Sequence, residues 1–290
     1  MDGDRVPPPE VIDTLRHEPR GASWLTSVGA TARRVAERWG LTLGAVLPGG
    51  MVSLVVDATT SAGTPVVLKL QYPHRECAHE ADALARWDGN GAIRLLDHDR
   101  DDHALLLERC EPGRRLSESL TGPLALEVMI DLLERLLVPA GAPFTTLTDE
   151  CERWVASLTA ERGTYFDADL TDLAIEWLGD LAPTQRDAVL VHQDLHGDNV
   201  LRAHREPWLA IDPKPLIGER EFAVAPIVRS CELGHSRTEA VDRLDRLSER
   251  LGLDRERARR WTVAQTIAWA SGSSIAATHL ETVRWLLAEG

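Results

Sequence analysis

Between Ala22 and Trp39 the apolar side chains Trp24, Leu25, Val28, Val35 and Trp39 return at helical spacing. Gly40 follows where a helix-terminating glycine belongs, so the pattern predicts a helix. The rhythm then changes to short aliphatic and β-branched runs. LTLGAVLP, MVSLVVDAT and TPVVLKLQ, parted by Gly49-Gly50 and by Ser61-Ala62-Gly63, read as three successive antiparallel strands. After Pro73, the residues Glu76, Glu80, Leu84 and Trp87 fall near one helix face until Gly89-Asn90-Gly91 stops the run. Two further strands, AIRLLDH and HALLLERC, meet at a turn around Asp99 to Asp102.

The remainder has a helical period near 123–138, 149–162, 168–181, 237–252, 254–272 and 273–288. Two short strand candidates, AVLVH and PWLAID, interrupt it. Residues 1–20, with Pro7, Pro8 and Pro9, read as a loose polar arm leading into a short helix. The expected fold class is α+β with two lobes: a five-stranded antiparallel sheet with helices over 1–108, and a mostly helical lobe over 109–290. The boundary is set by the proline and glycine that follow the last sheet strand, in the stretch Glu108–Gly113. No internal repeat or heptad pattern appears.

Composition narrows the function. With 290 residues, 43% hydrophobic and 27% charged, the chain has ordinary globular proportions. A net charge of -14 repels phosphate backbones, so a nucleic-acid partner is not expected, and cationic partners are favoured. Neither a signal peptide nor a membrane-spanning run is visible, which leads to the expectation of a cytoplasmic protein without a membrane partner. Cys77, Cys110, Cys151 and Cys231 lie far apart without C-x-x-C spacing and read as reduced thiols. Of the 32 basic residues, only Lys69 and Lys214 are lysines. Sites that keep a lysine in so arginine-rich a chain point to a need for a compact ammonium.

The chemistry concentrates in VHQDLHGDNVL, residues 191–201. Asp194 and Asn199 are separated as in H-x-D-L-x-x-x-N, the catalytic-loop pattern of kinases, and Asp212 follows at the end of the PWLAID strand. Phosphoryl transfer from ATP needs one carboxylate beside the attacking hydroxyl. It also needs an amide and a second carboxylate to hold magnesium against the phosphates. Lys69 lies in the third strand, where a lysine can grip the α and β phosphates. The following helix offers Glu76 or Glu80 as its partner, and Glu80 is preferred as closer to the helix middle. Gly49-Gly50 is a reduced glycine loop over the phosphates.

From about residue 45 to 225 the chain resembles the aminoglycoside phosphotransferase family, a kinase-like bilobal fold. Within it the resemblance is to the branch containing streptomycin 6-phosphotransferase and hydroxyurea phosphotransferase. It rests on VVLKLQYP, GNGAIRLLDHD, ALLLERCEPG, VHQDLHGDNVL and EPWLAIDPKPLIGEREF. It implies Asp194 as catalytic base or orienter, Asn199 and Asp212 as magnesium ligands, Lys69 as phosphate anchor, and a hinge from Glu108 to Cys110 whose backbone binds the adenine of ATP. The chain carries Asp212-Pro213-Lys214 where protein kinases have D-F-G, so a phenylalanine switch is not expected. Lys214 is placed either on a phosphate or on a nearby acid, Asp194 or Asp198.

The expected reaction is ATP-dependent phosphorylation of a small-molecule hydroxyl by a monomeric enzyme. A cationic aminoglycoside would be held by Asp198, Glu219, Glu221 and Glu232, and hydroxyurea or another hydroxylated metabolite is the alternative acceptor. Two other classes stand beside it. The alternation of His192, Asp194, His196 and Asp198 also fits the metal cluster of a hydrolase. A non-catalytic kinase-like binding module is the other, against which Lys69, Asp194, Asn199 and Asp212 are all retained.

Overall fold

Helix α1 (Pro9–Leu15) carries Pro9 in its first turn, where a missing N–H costs nothing. Helix α2 (Gly21–Trp39) ends in Gly40, whose φ of 62° is the left-handed conformation that caps a helix without strain. The computed structural model describes residues 7–270 and 276–290. The arm expected at the extreme N-terminus (1–6), and the residues 271–275 that were to end one helix and open the last, lie outside the described residues.

The chain divides into two compact units, one running up to Gly89 and resuming over Ile93–Glu111, the other made of Asn90–Ala92 and Pro112 onward. In the first, β1 (Leu41–Val46), β2 (Ser53–Thr60), β3 (Pro65–Gln71), β4 (Leu95–Asp99) and β5 (Ala104–Glu108) form one antiparallel sheet in the order β1-β2-β3-β5-β4. Helix α3 (Glu80–Trp87) lies between β3 and β4 in sequence. Register places Lys69 opposite Val55 on one side and Leu105 on the other.

Alternation sorts β3 into two faces. Leu68 and Leu70, with Leu54, Val56 and Ala104, pack against Val28, Ala32 and Val35 of α2 in a core cluster. Burying one such leucine contributes roughly 2 kcal/mol. The intervening positions, Lys69 and Gln71, therefore project from the opposite face.

The second unit holds α4 (Gly122–Leu136), α5 (Leu147–Ala160), α6 (Ala168–Leu181), α7 (Ala225–Val228), α8 (Arg237–Leu251), α9 (Arg255–Ala270) and α10 (Ala276–Leu287). Two small ribbons interrupt them: β6 (Val189–Val191) with β9 (Leu216–Gly218), and β7 (Val200–Arg202) with β8 (Trp208–Ala210). Strands β7 and β9 were absent from the expected pattern: each is three residues, defined by its pairing partner and not by a local period. Helix α9 is buried on nearly every side, with Trp261 wholly enclosed and its ring edge-on to Phe222 at 5.3 Å. Residues 90–92 join this unit because Ala210 N–H donates to Gly91 O at 2.9 Å and Arg205 Nη2 donates to Ala92 O at 3.0 Å. No described helix is long and apolar enough to cross a membrane.

Candidate active site

In the first unit, Lys69 and Glu80 are 6% and 1% exposed, and the lysine Nζ donates to both carboxylate oxygens, at 2.8 and 2.7 Å. Gln71, two residues along the same strand face, adds Nε2 to Glu80 Oε2 at 2.6 Å. Glu80 is the first residue of α3, not a mid-helix position as expected, because Arg75–Cys77 forms a separate 3-10 turn started by His74, which accepts Glu76 N–H. Glu76 sits in that turn, 3.7 Å from Arg75. At the helix start, Glu80 also meets the positive end of the helix dipole.

Between β1 and β2, Gly49 has φ 103° and a Cβ on Gly50 would stand 2.6 Å from Ser53 O, so both positions demand glycine. At the end of β5, the Glu108 N–H donates to Arg94 O at 3.0 Å and its carboxylate accepts Arg94 N–H at 2.9 Å. That N–H is thereby committed within the sheet and is no donor to a base. Cys110 is buried.

In the second unit, two hydrogen bonds tie the His192–Asp194 turn to the segment after β8, and a third closes the turn on itself. Asp194 N–H donates to His192 Nδ1 (3.3 Å), the ring's Nε2–H donates to Ile211 O (3.0 Å), and Lys214 N–H donates to His192 O (2.9 Å). A fourth, from Ile211 N–H to Asn199 O at 2.9 Å, holds the far end of the loop. These bonds sustain left-handed backbone at two non-glycine residues, Gln193 (φ 65°) and Asp212 (φ 55°), each costing on the order of 1–2 kcal/mol.

Such a His192 is neutral: burial pushes its pKa down to about 4 against the pull of Asp194 and Asp212. Both ring nitrogens serve the backbone, so His192 is not a metal ligand and the hydrolase cluster loses its first member. Among the described residues, no group of three or more His, Cys, Asp or Glu is arranged to hold a metal ion.

Asp194 Oδ2 accepts from Lys214 Nζ at 2.7 Å and from Asn199 Nδ2 at 3.3 Å. Burial works against the carboxylate, but Lys214 and His196 outweigh it and hold Asp194 below its ordinary pKa. Asn199 Nδ2 also donates to Asp194 O at 2.9 Å, which turns the amide oxygen away from that residue. Asn199 and Asp212 thus offer hard oxygen donors, the kind magnesium takes.

Around this turn, Glu232 accepts Gly197 N–H at 2.7 Å and Ser230 Oγ–H at 2.5 Å, and lies 3.5 Å from His196 Nδ1. Burial would raise the Glu232 pKa, yet these partners depress it to about 2. His196 is raised in turn, as Glu232, Asp194 and Asp198 overcome its own desolvation. Asp198 accepts from the Ser117 hydroxyl.

Glu219 and Glu221 correct the expected acceptor set. Glu219 is wholly buried, with Oε1 taken by Arg257 Nε (2.6 Å) and Trp261 Nε1–H and Oε2 by Arg186 N–H (3.2 Å). Glu221 accepts Asp254 N–H at 3.3 Å, just ahead of α9. The Glu219 carboxylate serves the helical core and does not face a solute, while Glu221 is buried with one oxygen on the residue before α9.

Three neighbours of the turn went unseen in the sequence. Trp269 of α9 lies under two cations, with Lys214 Nζ 4.8 Å and Arg229 Cζ 4.5 Å from its ring centroid. Arg229 also donates to Gln265, and burial lowers its pKa to about 10 against Asp194 and Glu232. Only tertiary packing unites these positions, so no sequence spacing signals them. Gln71, by contrast, could have been found from the period-two placement beside Lys69.

Residues 38–276 match the family described as aminoglycoside/hydroxyurea antibiotic resistance kinase. The streptomycin 6-kinase of Streptomyces griseus is 36% identical over 85% of this chain and 83% of its own length. The hydroxyurea phosphotransferase of Kitasatospora aureofaciens is 38% identical over 90% of this chain and 78% of its own. Among solved structures, the choline kinase LicA of Streptococcus pneumoniae superposes with a TM-score of 0.65 at 11% identity, covering 91% of this chain and 99% of that one, which establishes a kinase-like fold. The turn built around Asp194 and the sheet that carries Lys69 are thus parts of a phosphotransferase, and the chain belongs to the aminoglycoside/hydroxyurea antibiotic resistance kinases.

Proposed function

We propose that this kinase uses ATP and magnesium to phosphorylate a hydroxyl of an aminoglycoside of the streptomycin class. The observation that carries the reading is the turn of the second unit, which holds Asp194 ionised and aims the Asn199 amide oxygen away from it. In this reading Asp194 orients the acceptor hydroxyl and takes its proton, while Lys69, steadied by Glu80, grips the nucleotide phosphates. Asn199 and Asp212 are the residues that would hold magnesium, which when bound neutralises charge on the phosphates. The backbone of Glu108 to Cys110 is assigned to the adenine, with the Glu108 N–H set aside.

For the acceptor, the Asp198 and Glu232 side chains flank the Asp194 turn. A carboxylate offers about four lone-pair sites. With one taken by Ser117, Asp198 keeps capacity for a guanidino group. Hydroxyurea is the second reading, favoured by Lys214 and Arg229 beside Asp194, cations that a neutral acceptor tolerates better than a polycation. Mass analysis after incubation with ATP, magnesium and each acceptor separates the two. Streptomycin gaining one phosphate supports the first reading, hydroxyurea alone gaining it moves the assignment to the second, and turnover of neither overturns both.

A further inference from the structure

Lys214 belongs to none of the roles above, yet it is fixed at both ends. Its backbone N–H is bound to His192 O at 2.9 Å, and its Nζ to Asp194 Oδ2 at 2.7 Å. The His192 ring ties the same two segments once more, through Nε2–H to Ile211 O, and its Nδ1 accepts Asp194 N–H within the turn. The lysine and its partner therefore start from backbone that cannot slide. The Trp269 ring, 4.8 Å from Nζ, favours the ammonium where it stands.

The two oxygens of Asp194 are treated differently. Oδ2 receives both donors, Lys214 and Asn199. Oδ1 has His196 Nε2 at 3.8 Å, beyond hydrogen-bond reach. Arg229, the other cation nearby, acts on Asp194 through its field while its Nη1 donates to Gln265. An ammonium can engage one oxygen and leave its twin. A guanidinium at this place would present a fork that takes both. That difference gives a reason for a lysine in a chain whose other basic residues, Lys69 excepted, are all arginine.

We propose that Lys214 is a positioning residue for phosphoryl transfer: by holding Oδ2 of Asp194, it presents Oδ1 to the acceptor hydroxyl. The inference rests on the reading of Asp194 as the group that meets that hydroxyl. Its test is steady-state kinetics on the full chain with ATP and whichever of streptomycin or hydroxyurea the wild type phosphorylates, for Lys214→Met and Lys214→Arg. A misaimed carboxylate is expected to lower kcat about a hundredfold in Lys214→Met. Both KM values, measured on the folded fraction, should stay within about threefold. Lys214→Arg keeps the charge and is expected to recover little of the loss.

Wild-type kcat in either variant overturns the proposal. So does a raised KM for ATP at unchanged kcat, which would make Lys214 a phosphate ligand. Crystal structures of wild type and Lys214→Met provide an arm that needs no turnover. A single Asp194 rotamer in the wild type and a rotated or split one in the variant support the proposal, and an unmoved carboxylate sinks it. If the wild type phosphorylates neither acceptor, the substrate reading fails while this arm still decides the role of Lys214.

Discussion

Lys69 is only 6% exposed, and there Glu80 meets it with both carboxylate oxygens while Gln71 supports the carboxylate from the same strand face. A buried pair of this kind adds little net stability, but removing one partner strands the other's charge. Glu80→Gln is therefore expected to cost about 3 kcal/mol in urea unfolding, with Glu80→Gln/Lys69→Met recovering part of the loss. An unchanged midpoint in the single variant would show that Lys69 finds another counter-charge. The pair was legible in the sequence because a strand lysine and a helix glutamate lie eleven residues apart across one turn. The helix boundary was not, since the 3-10 turn at Arg75–Cys77 continues the helical spacing without joining α3.

Single elements explain why some acids that looked available are not. The segment after β9 delivers Glu219 into the core beside α9, where Arg257 and Trp261 meet it, and sequence cannot tell that carboxylate from a solvated one. Glu219→Gln is expected to lose about 3 kcal/mol of stability while leaving kcat/KM for the acceptor unchanged in the fraction that folds. A selective rise in acceptor KM would return Glu219 to the binding site. The long elements, α2 with its Gly40 cap and the five-stranded sheet, announce themselves through period and turn residues. Strands β7 and β9 exist because partners pair with them, which no local pattern records.

Across the whole molecule, two imidazoles, the buried His192 and the half-buried His279, make folding respond to acid. His192 and His279 are each held at about 4 by burial, below their ordinary 6.5. At neutral pH each is uncharged whether folded or not. As pH falls from 6.5 to 4, the unfolded chain binds protons that the folded chain refuses, so stability drops through that window. For His192 the loss amounts to about 3 kcal/mol. His196 acts in the opposite sense, its raised pKa adding stability that is lost as pH rises through the folded value. Glu232 adds a further loss below its ordinary 4.5, towards about 2. His192→Asn is expected to reduce the slope of unfolding free energy against pH between 6.5 and 4 by about one proton. An unaltered slope would show that His192 does not titrate as its burial requires.

The turn around Asp194 was singled out by its H-x-D-L-x-x-x-N spacing, but its surroundings were not legible. Trp269, Arg229 and Gln265 reach it only through the packing of α9. The central claim is that Asp194 performs phosphoryl transfer without being needed to bind the nucleotide. Comparing wild type and Asp194→Ala for phosphorylated acceptor formed per unit time, beside calorimetric affinity for ADP with magnesium, tests it most directly. Transfer is expected to fall about a thousandfold with ADP affinity held within about threefold. An Asp194→Ala enzyme that transfers phosphate at the wild-type rate would contradict it.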